Sequence, residues 1–486
     1  MGASNTSGAR MAQLNPRDAE FIYHEGAGHL NHLIAVYFFE TSLHPSAEFT
    51  AEQAVDWVTA RLGCDRMFTQ RVQRTPLGLD HPYWVTDPDF DVRKPVYVNK
   101  INDTGWAALQ KPLSALLTTK MDLRRPPWEL HFFVGLEGLE ELPGRLTAVV
   151  LKSHHSAADG IAIRTLGEAI FSGKVQQAGS EPSVPFVRAR IFTKSLLGFP
   201  GRIYRFARQV PGNRRAQRDA DAAKKAGEWV ESLNERPAIR FNGKVSGAAS
   251  LEPMTMSGEQ VREIKDSVPG ATVNDVLLAV VGGALTRYLT EKDERPSDSL
   301  IAMVPRSVRK VEAWESANQL VALLVDMHTQ VESPLERLAL ISSSARSEKA
   351  RTSHPAVRRA GAAVETTPAP LMRLMAYARK QNDHSLDRPR YQHTMVSNIP
   401  LSVEGLTLAG APGAAVLAVQ APIDGDGLRH FMVAAAGGGL TLNVIADTAT
   451  MPDLHHYIEL LRASFDDLAA AAAMQTADSP NQEVAS

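Results

Sequence analysis

Hydrophobic and polar positions along the chain switch between two periods, and the switches divide it into elements. Leu33 to Glu40 is a nearly unbroken apolar run of strand length, and Ala51 to Leu62 repeats apolar residues at helical spacing. Trp128 to Phe133 alternates before continuing apolar, as strands do. Thr147 to Leu151 is continuously apolar and runs into Lys152-Ser153-His154-His155, which predicts a buried central strand ending on two histidines. Beyond Gly160, Ile163, Leu166 and Ile170 recur at helical spacing. The heptapeptide His154 to Gly160 therefore lies where a buried strand gives way to a helix, a junction that commonly carries function.

The second half repeats the mixture. Asn274 to Leu289 predicts a helix apolar on most faces, and Pro334 to Lys349, opened by Ser333, and Pro452 to Leu468 predict two more. Ile301 to Val304, Leu320 to Met327, Thr394 to Ile399 and Leu440 to Ala446 read as strands. At the start, an Asn15-Pro16 turn predicts a short helix. Strands and helices mixed in two halves predict an α/β fold of two layered domains with the site between them. The expected division is an N-terminal domain over 11–175, a crossover linker over 176–240, a C-terminal domain over 241–472 and a disordered tail over 473–486.

Charge changes the picture in one place. From Phe186 to Lys225 there are eleven lysines and arginines against two aspartates, a surplus of nine cations in a chain whose net charge is −2. Ile203, Phe206, Ala207 and Val210 keep a helical spacing inside this stretch, so it reads as a basic amphipathic crossover. It is open to three readings: a solvated connector, a contact with an anionic membrane surface, or a contact with the phosphates of a ligand. A balance of −2 over 486 residues speaks against a chain-wide nucleic-acid footprint. Cys64 is the sole cysteine, which excludes an internal disulfide and a thiolate metal cage and suits a reducing, cytoplasmic setting. Val276 to Leu285 is too short to span a bilayer, so a soluble or peripheral protein is expected, peripheral meaning the inner face of the plasma membrane. Met1 to Thr6 formally fits an N-myristoylation pattern, and a polar extension ahead of Met11 explains it equally well.

The chemistry concentrates in the heptapeptide. A histidine of near-neutral pKa takes a proton from a hydroxyl as it attacks a carbonyl, an effect worth roughly 10²–10⁴ in rate. His155 suits that role, and Asp159, past three small residues, folds back to fix the loop or caps the following helix. Gly160 is expected to permit a sharp exit. His154 points to the opposite face of the strand, so one histidine of the pair reacts, and the same geometry opposes a metal site made from both. His455-His456, in the terminal helix, reads as a surface feature.

His154 to Gly160 resembles the HHxxxDG signature of the bacterial wax ester synthase/acyl-CoA:diacylglycerol acyltransferase family, related to the chloramphenicol acetyltransferase-like proteins and condensation domains. Further blocks resemble that family in order: Leu14 to Phe21, Arg125-Pro126-Pro127-Trp128-Glu129 as its PLW block, and Val273-Asn274-Asp275-Val276 as its ND block. Val304 to Arg309, Val396-Ser397-Asn398-Ile399-Pro400, and Ala446-Asp447 with Pro452-Asp453 follow. The resemblance implies two chloramphenicol acetyltransferase-like domains with an active-site tunnel between them. It implies His155 as the general base that deprotonates an alcohol, whose oxygen attacks the thioester of a fatty acyl-CoA. The products are triacylglycerol from diacylglycerol or a wax ester from a long-chain alcohol.

Within that scheme Asp159 is structural and faces an arginine, with Arg306 its suggested partner. The oxyanion of the tetrahedral intermediate needs a donor, and Asn274, Ser397 and Asn398 are the options, Asn274 having an equal reading as a helix cap. Trp128 and Asp275 are expected to border substrate. No cofactor is implied beyond acyl-CoA as co-substrate, and the basic crossover is the expected membrane or lipid-droplet contact. The chain departs from the family at Pro127, Pro95 and Ala435-Ala436. These departures leave open another hydroxylated acceptor or a lipid- or CoA-binding paralogue without turnover.

Overall fold

The structure, a computed structural model, describes residues 12–172, 187–229, 234–308, 318, 320–381 and 385–478. The myristoylation pattern at Met1 to Thr6 lies outside them.

Two six-stranded sheets organise the fold. The first runs in the order Thr407–Leu408, Ala411–Gln420, His32–Glu40, Leu146–His154, Trp128–Leu136, Val96–Lys100. Its central strand, Leu146–His154, is buried at every position, as its unbroken apolar pattern predicts. In antiparallel register with it, His32 faces His154 and Ile34 faces Lys152. The second sheet runs Leu320–Asp326, Ile301–Ser307, Thr394–Asn398, Leu428–Ala434, Leu440–Asp447, Ala249–Met256. Helix Val273–Glu291 is buried along most of its length against this sheet and against helices Pro334–Ser353 and Leu454–Asp478, which is why its sequence lacks a polar face.

Two features differ from the expected division. The strand Ala411–Gln420 comes from the second half but completes the first sheet, its Val416, Leu417, Ala418 and Val419 pairing with Tyr37, Val36, Ala35 and Ile34. Four apolar side chains in a row need partners on both faces, and the open edge of His32–Glu40 supplies the hydrogen bonds. The chain then returns to the second sheet through Leu428–Ala434, stitching the halves together. The terminal helix runs to Asp478 and takes in residues expected in a disordered tail, because the alanines at 469–473 are the strongest helix formers.

The basic crossover contains a helix, Val187–Lys225, with Pro200 and Pro211 inside it. It packs on helix Pro355–Gly361. Its inward stripe is Ile191, Ser195, Ala216, Ala220 and Ala223, while Leu196, Leu197, Ile203 and Tyr204 face out.

Candidate active site

His155 sits one residue past the strand that His154 closes, and its backbone is held at both ends. Its N–H donates to Asn31 O at 2.8 Å, and its carbonyl accepts from Asn318 Nδ2 at 2.7 Å. Asn318 also donates to Asp18 Oδ1, from its backbone N at 3.0 Å and its Nδ2 at 2.8 Å. Asp18 belongs to helix Pro16–His24, which Asn15 caps by accepting from Arg17 N. One turn on, Phe21 lays its ring on the His155 imidazole, centroids 4.1 Å apart and planes 5° from parallel. The opening block of the sequence therefore serves as a wall that fixes the histidine plane, a stack worth about 0.5–1.5 kcal/mol.

Burial governs the protonation of His155. Desolvation lowers its pKa to about 4, although its own backbone and the Asn318 side chain favour the protonated ring, while His154 and Arg429 oppose it. The ring is neutral at pH 7 and keeps one lone pair. Nδ1 is sealed from solvent, so Nε2 is the nitrogen that meets the adjoining cavity.

His154 faces elsewhere. Its Nδ1 accepts from Ser156 N at 3.2 Å and lies 2.8 Å from Ser156 Oγ, which assigns the ring proton to Nε2. Nε2 stands 3.3 Å from Glu25 Oε1, and Lys120 Nζ stands 3.0 Å from Glu25 Oε2. Burial opposes ionisation of Glu25, but His154 and Lys120 outweigh it and hold the carboxyl below its usual pKa. Glu25 was not singled out in the sequence. Its one local signal is its place just after the first helix, at the C-cap.

Asp159 caps helix Gly160–Phe171, its Oδ1 accepting from Ile161 N at 3.1 Å and Ala162 N at 2.9 Å. Arg306, the partner suggested for it, instead donates to Lys349 O at 3.4 Å and Ser353 Oγ at 3.1 Å, because its strand faces helix Pro334–Ser353. Gly160 makes no sharp exit, since its φ is not positive. Its value is size: a Cβ there would stand 3.3 Å from Ile399 Cγ2.

A cavity of about 540 Å³ opens beside His155 between the two sheets. Phe21, Leu30, Leu33, Met303, Val321, Met395, Ile399 and Phe431 make it largely apolar. Ser397 and Asn398 line it, and Asn274 stands behind them, its Oδ1 accepting from Asn398 Nδ2 at 2.9 Å. Asn274 is not the helix cap. Thr272 is, and Asp275 completes its capping box by accepting from Thr272 N at 2.8 Å, a structural role rather than a place at substrate. Trp128 is buried, its indole N–H donating to Phe68 O at 3.1 Å, and it lines a second cavity rather than the one beside His155.

A second cavity, about 770 Å³, lies on the Glu25 side and is lined by Arg71, Arg74, Lys94, Lys120, Arg124 and Arg125 together with several carboxylates. The histidine pair thus stands between two differently furnished spaces, His155 bordering the apolar one and the partner of His154 bordering the charged one.

Comparison with known proteins gives the family and the fold. Residues 14–277 match the model of the wax ester synthase/diacylglycerol acyltransferase catalytic domain, and residues 316–469 match that of the WS/DGAT C-terminal domain. The Mycobacterium tuberculosis protein named "Probable diacyglycerol O-acyltransferase tgs2" is 28% identical over 476 residues, covering 95% of this chain and 99% of that one. A solved wax ester synthase/diacylglycerol acyltransferase from Marinobacter aquaeolei VT8 superposes with a TM-score of 0.64 at 20% identity, covering 95% of this chain and all of that one. The condensation domain of the Monacolin K polyketide synthase MokA superposes at 0.56 with 13% identity, covering 96% and 98%, and shares the two-domain fold. With the signature histidine walled by Phe21 and bordering a cavity between two sheets, the chain belongs to the wax ester synthase/diacylglycerol acyltransferase family.

Proposed function

We infer that the chain is an acyl-CoA-dependent O-acyltransferase that moves a fatty acyl group to the hydroxyl of diacylglycerol or of a long-chain alcohol. The observation that carries this reading is a neutral, plane-fixed imidazole whose Nε2 meets a largely apolar cavity. His155 Nε2 takes the hydroxyl proton as the alcohol oxygen attacks the thioester carbon. The C–S bond then breaks, and the imidazolium returns the proton to the departing thiolate. The oxyanion is assigned a donor from Ser397 or Asn398, which line the cavity, with Asn274 behind them; losing one such donor typically costs about 3–4 kcal/mol. A largely apolar space suits alkyl chains and excludes water that would otherwise hydrolyse the thioester. In the charged cavity Arg71, Lys120 and Arg124 are paired with carboxylates, and Arg74, Lys94 and Arg125 are the cations offered to the phosphates of CoA.

Among the described residues no helix is long and apolar enough to cross a membrane. A peripheral contact through residues 186–225 is supported by the outward Leu196, Leu197 and Tyr204 on a strongly basic helix. The activity is tested by incubating purified protein with palmitoyl-CoA and dioleoylglycerol, hexadecanol or neither, and following thiol and product mass. Thiol release that requires an alcohol, with ester product, supports the reading. Binding of acyl-CoA without release under any condition overturns it.

A further inference from the structure

Arg429 is a buried charge that the acyl-transfer chemistry leaves unused. It lies on strand Leu428–Ala434, is 5% exposed and lines the cavity that holds His155. A guanidinium removed from water costs several kcal/mol unless it is paired and hydrogen-bonded. Here the pairing is local: Nε donates to Asp426 Oδ2 at 2.8 Å, and Nη1 donates to Ala421 O at 3.0 Å and Gln420 Oε1 at 3.3 Å. Asp426 is as deeply buried as its partner and takes Nε, while burial pushes its carboxyl pKa up against the pull of Arg429. Nη2 has no hydrogen-bond partner among the described residues. The cavity wall about it mixes apolar Ile423, Met395 and Phe431 with His29 and His155, both near enough to feel its charge.

We propose that Arg429 is a specificity-determining residue that donates from Nη2 to an ester carbonyl of the acceptor, so that the cavity selects diacylglycerol over acceptors lacking an ester. The inference rests on the acyl-transfer reading above and deepens it. An unmatched donor on the wall of a largely apolar cavity favours a substrate that brings an acceptor oxygen, and a substrate that fills the space without one leaves it desolvated. One open Nη2 donor in a largely apolar cavity fits a neutral carbonyl oxygen, since a carboxylate or phosphate would be desolvated there at greater cost. A diacylglycerol carries two ester carbonyls beyond its reacting hydroxyl, while a long-chain alcohol carries none.

The test compares dioleoylglycerol with its dialkyl ether analogue of the same chain length, which keeps the hydroxyl and both chains but lacks the carbonyls. Palmitoyl-CoA is the donor and the full-length chain the enzyme. The wild type is expected to favour the ester by about tenfold or more in kcat/KM. Arg429→Met, and the paired variant Arg429→Met/Asp426→Asn that leaves no lone carboxylate buried, are expected to lose that preference. The ratio of two acceptors is insensitive to the fraction of protein folded, so partial misfolding does not mask the result. A wild type indifferent to the carbonyls, or variants that keep the full preference, overturns the assignment. An equal fall with both acceptors and an unchanged ratio also overturns it and places Arg429 in the shared transfer step. A wild type that acylates neither acceptor overturns the acyl-transfer reading itself and takes this inference with it.

Discussion

A base that is buried gains a fixed orientation and loses basicity, and His155 shows both effects. Phe21 and Asn318 fix its position, while desolvation brings its pKa down to about 4. Catalysis needs the neutral ring, so activity is retained as pH falls until it reaches the pKa of the free protein. The kcat/KM profile is therefore expected to hold through pH 6 and decline only as pH approaches 4; an acid limb centred on 6.5 would contradict the burial argument. Glu25 makes a separate claim. Its carboxylate is sealed beside His154, so Glu25→Ala strands the His154 Nε2–H and is expected to destabilise the fold by about 1–3 kcal/mol, read as a lower denaturant midpoint, whereas an unchanged midpoint would mean that the pair contributes little. The position of His155 was legible because a histidine doublet at the end of an apolar strand is a local pattern. Glu25, Asn318 and Arg429 were not, since each gains its meaning from a tertiary partner; Asp18 and Asn318 are 300 residues apart.

At the scale of elements, strong periodicity was readable and weak periodicity was not. The strands at Leu33, Thr147, Leu320 and Thr394 lie where the apolar runs put them, because a buried strand needs little besides an uninterrupted apolar face. Strand Ala411–Gln420 escaped, as its Gly413 and alanines carry little hydrophobic signal and its partner strand lies far away in sequence. In the basic helix the charge and the amphipathic spacing were legible but the facing was not: Ile203 of that spacing is exposed, and small residues form most of the buried stripe. That arrangement predicts binding to vesicles containing anionic lipid, weakening as salt is raised. Replacing Leu196, Leu197 and Tyr204 by serine is expected to reduce binding severalfold in co-sedimentation. Equal binding of wild type and triple variant would refute a role for that face. The capping box of helix Val273–Glu291 gives a plainer expectation, that Thr272→Ala lowers stability by about 1 kcal/mol in a denaturant titration.

For the whole molecule, a strand that crosses between sheets joins the two halves, and His155 lies at their seam. The same burial that shapes the seam sets a dependence of stability on pH. Desolvation lowers His32 and His430 to about 3, as it lowers His29, and His155 to about 4. An unfolded chain protonates these side chains near 6.5 and the folded one does not, so the unfolded state binds more protons between those values. Stability is therefore present above pH 6.5 and is lost progressively as pH falls towards 4, by up to about 1.4 kcal/mol per pH unit for each group. A Tm at pH 5 equal to that at pH 7.5 would contradict this. The family and its reaction were legible from ordered blocks spread along the chain, while the acceptor was not, because it depends on which side chains the two sheets bring to one cavity. The central claim is that His155 carries acyl transfer, and the most direct measurement is the rate of palmitoyl transfer from palmitoyl-CoA to an alcohol by wild type and His155→Ala, with the fold of each checked by circular dichroism and Tm. A loss of roughly 10²-fold or more in kcat by a folded variant is the predicted result; a folded His155→Ala variant with near-normal turnover would contradict it.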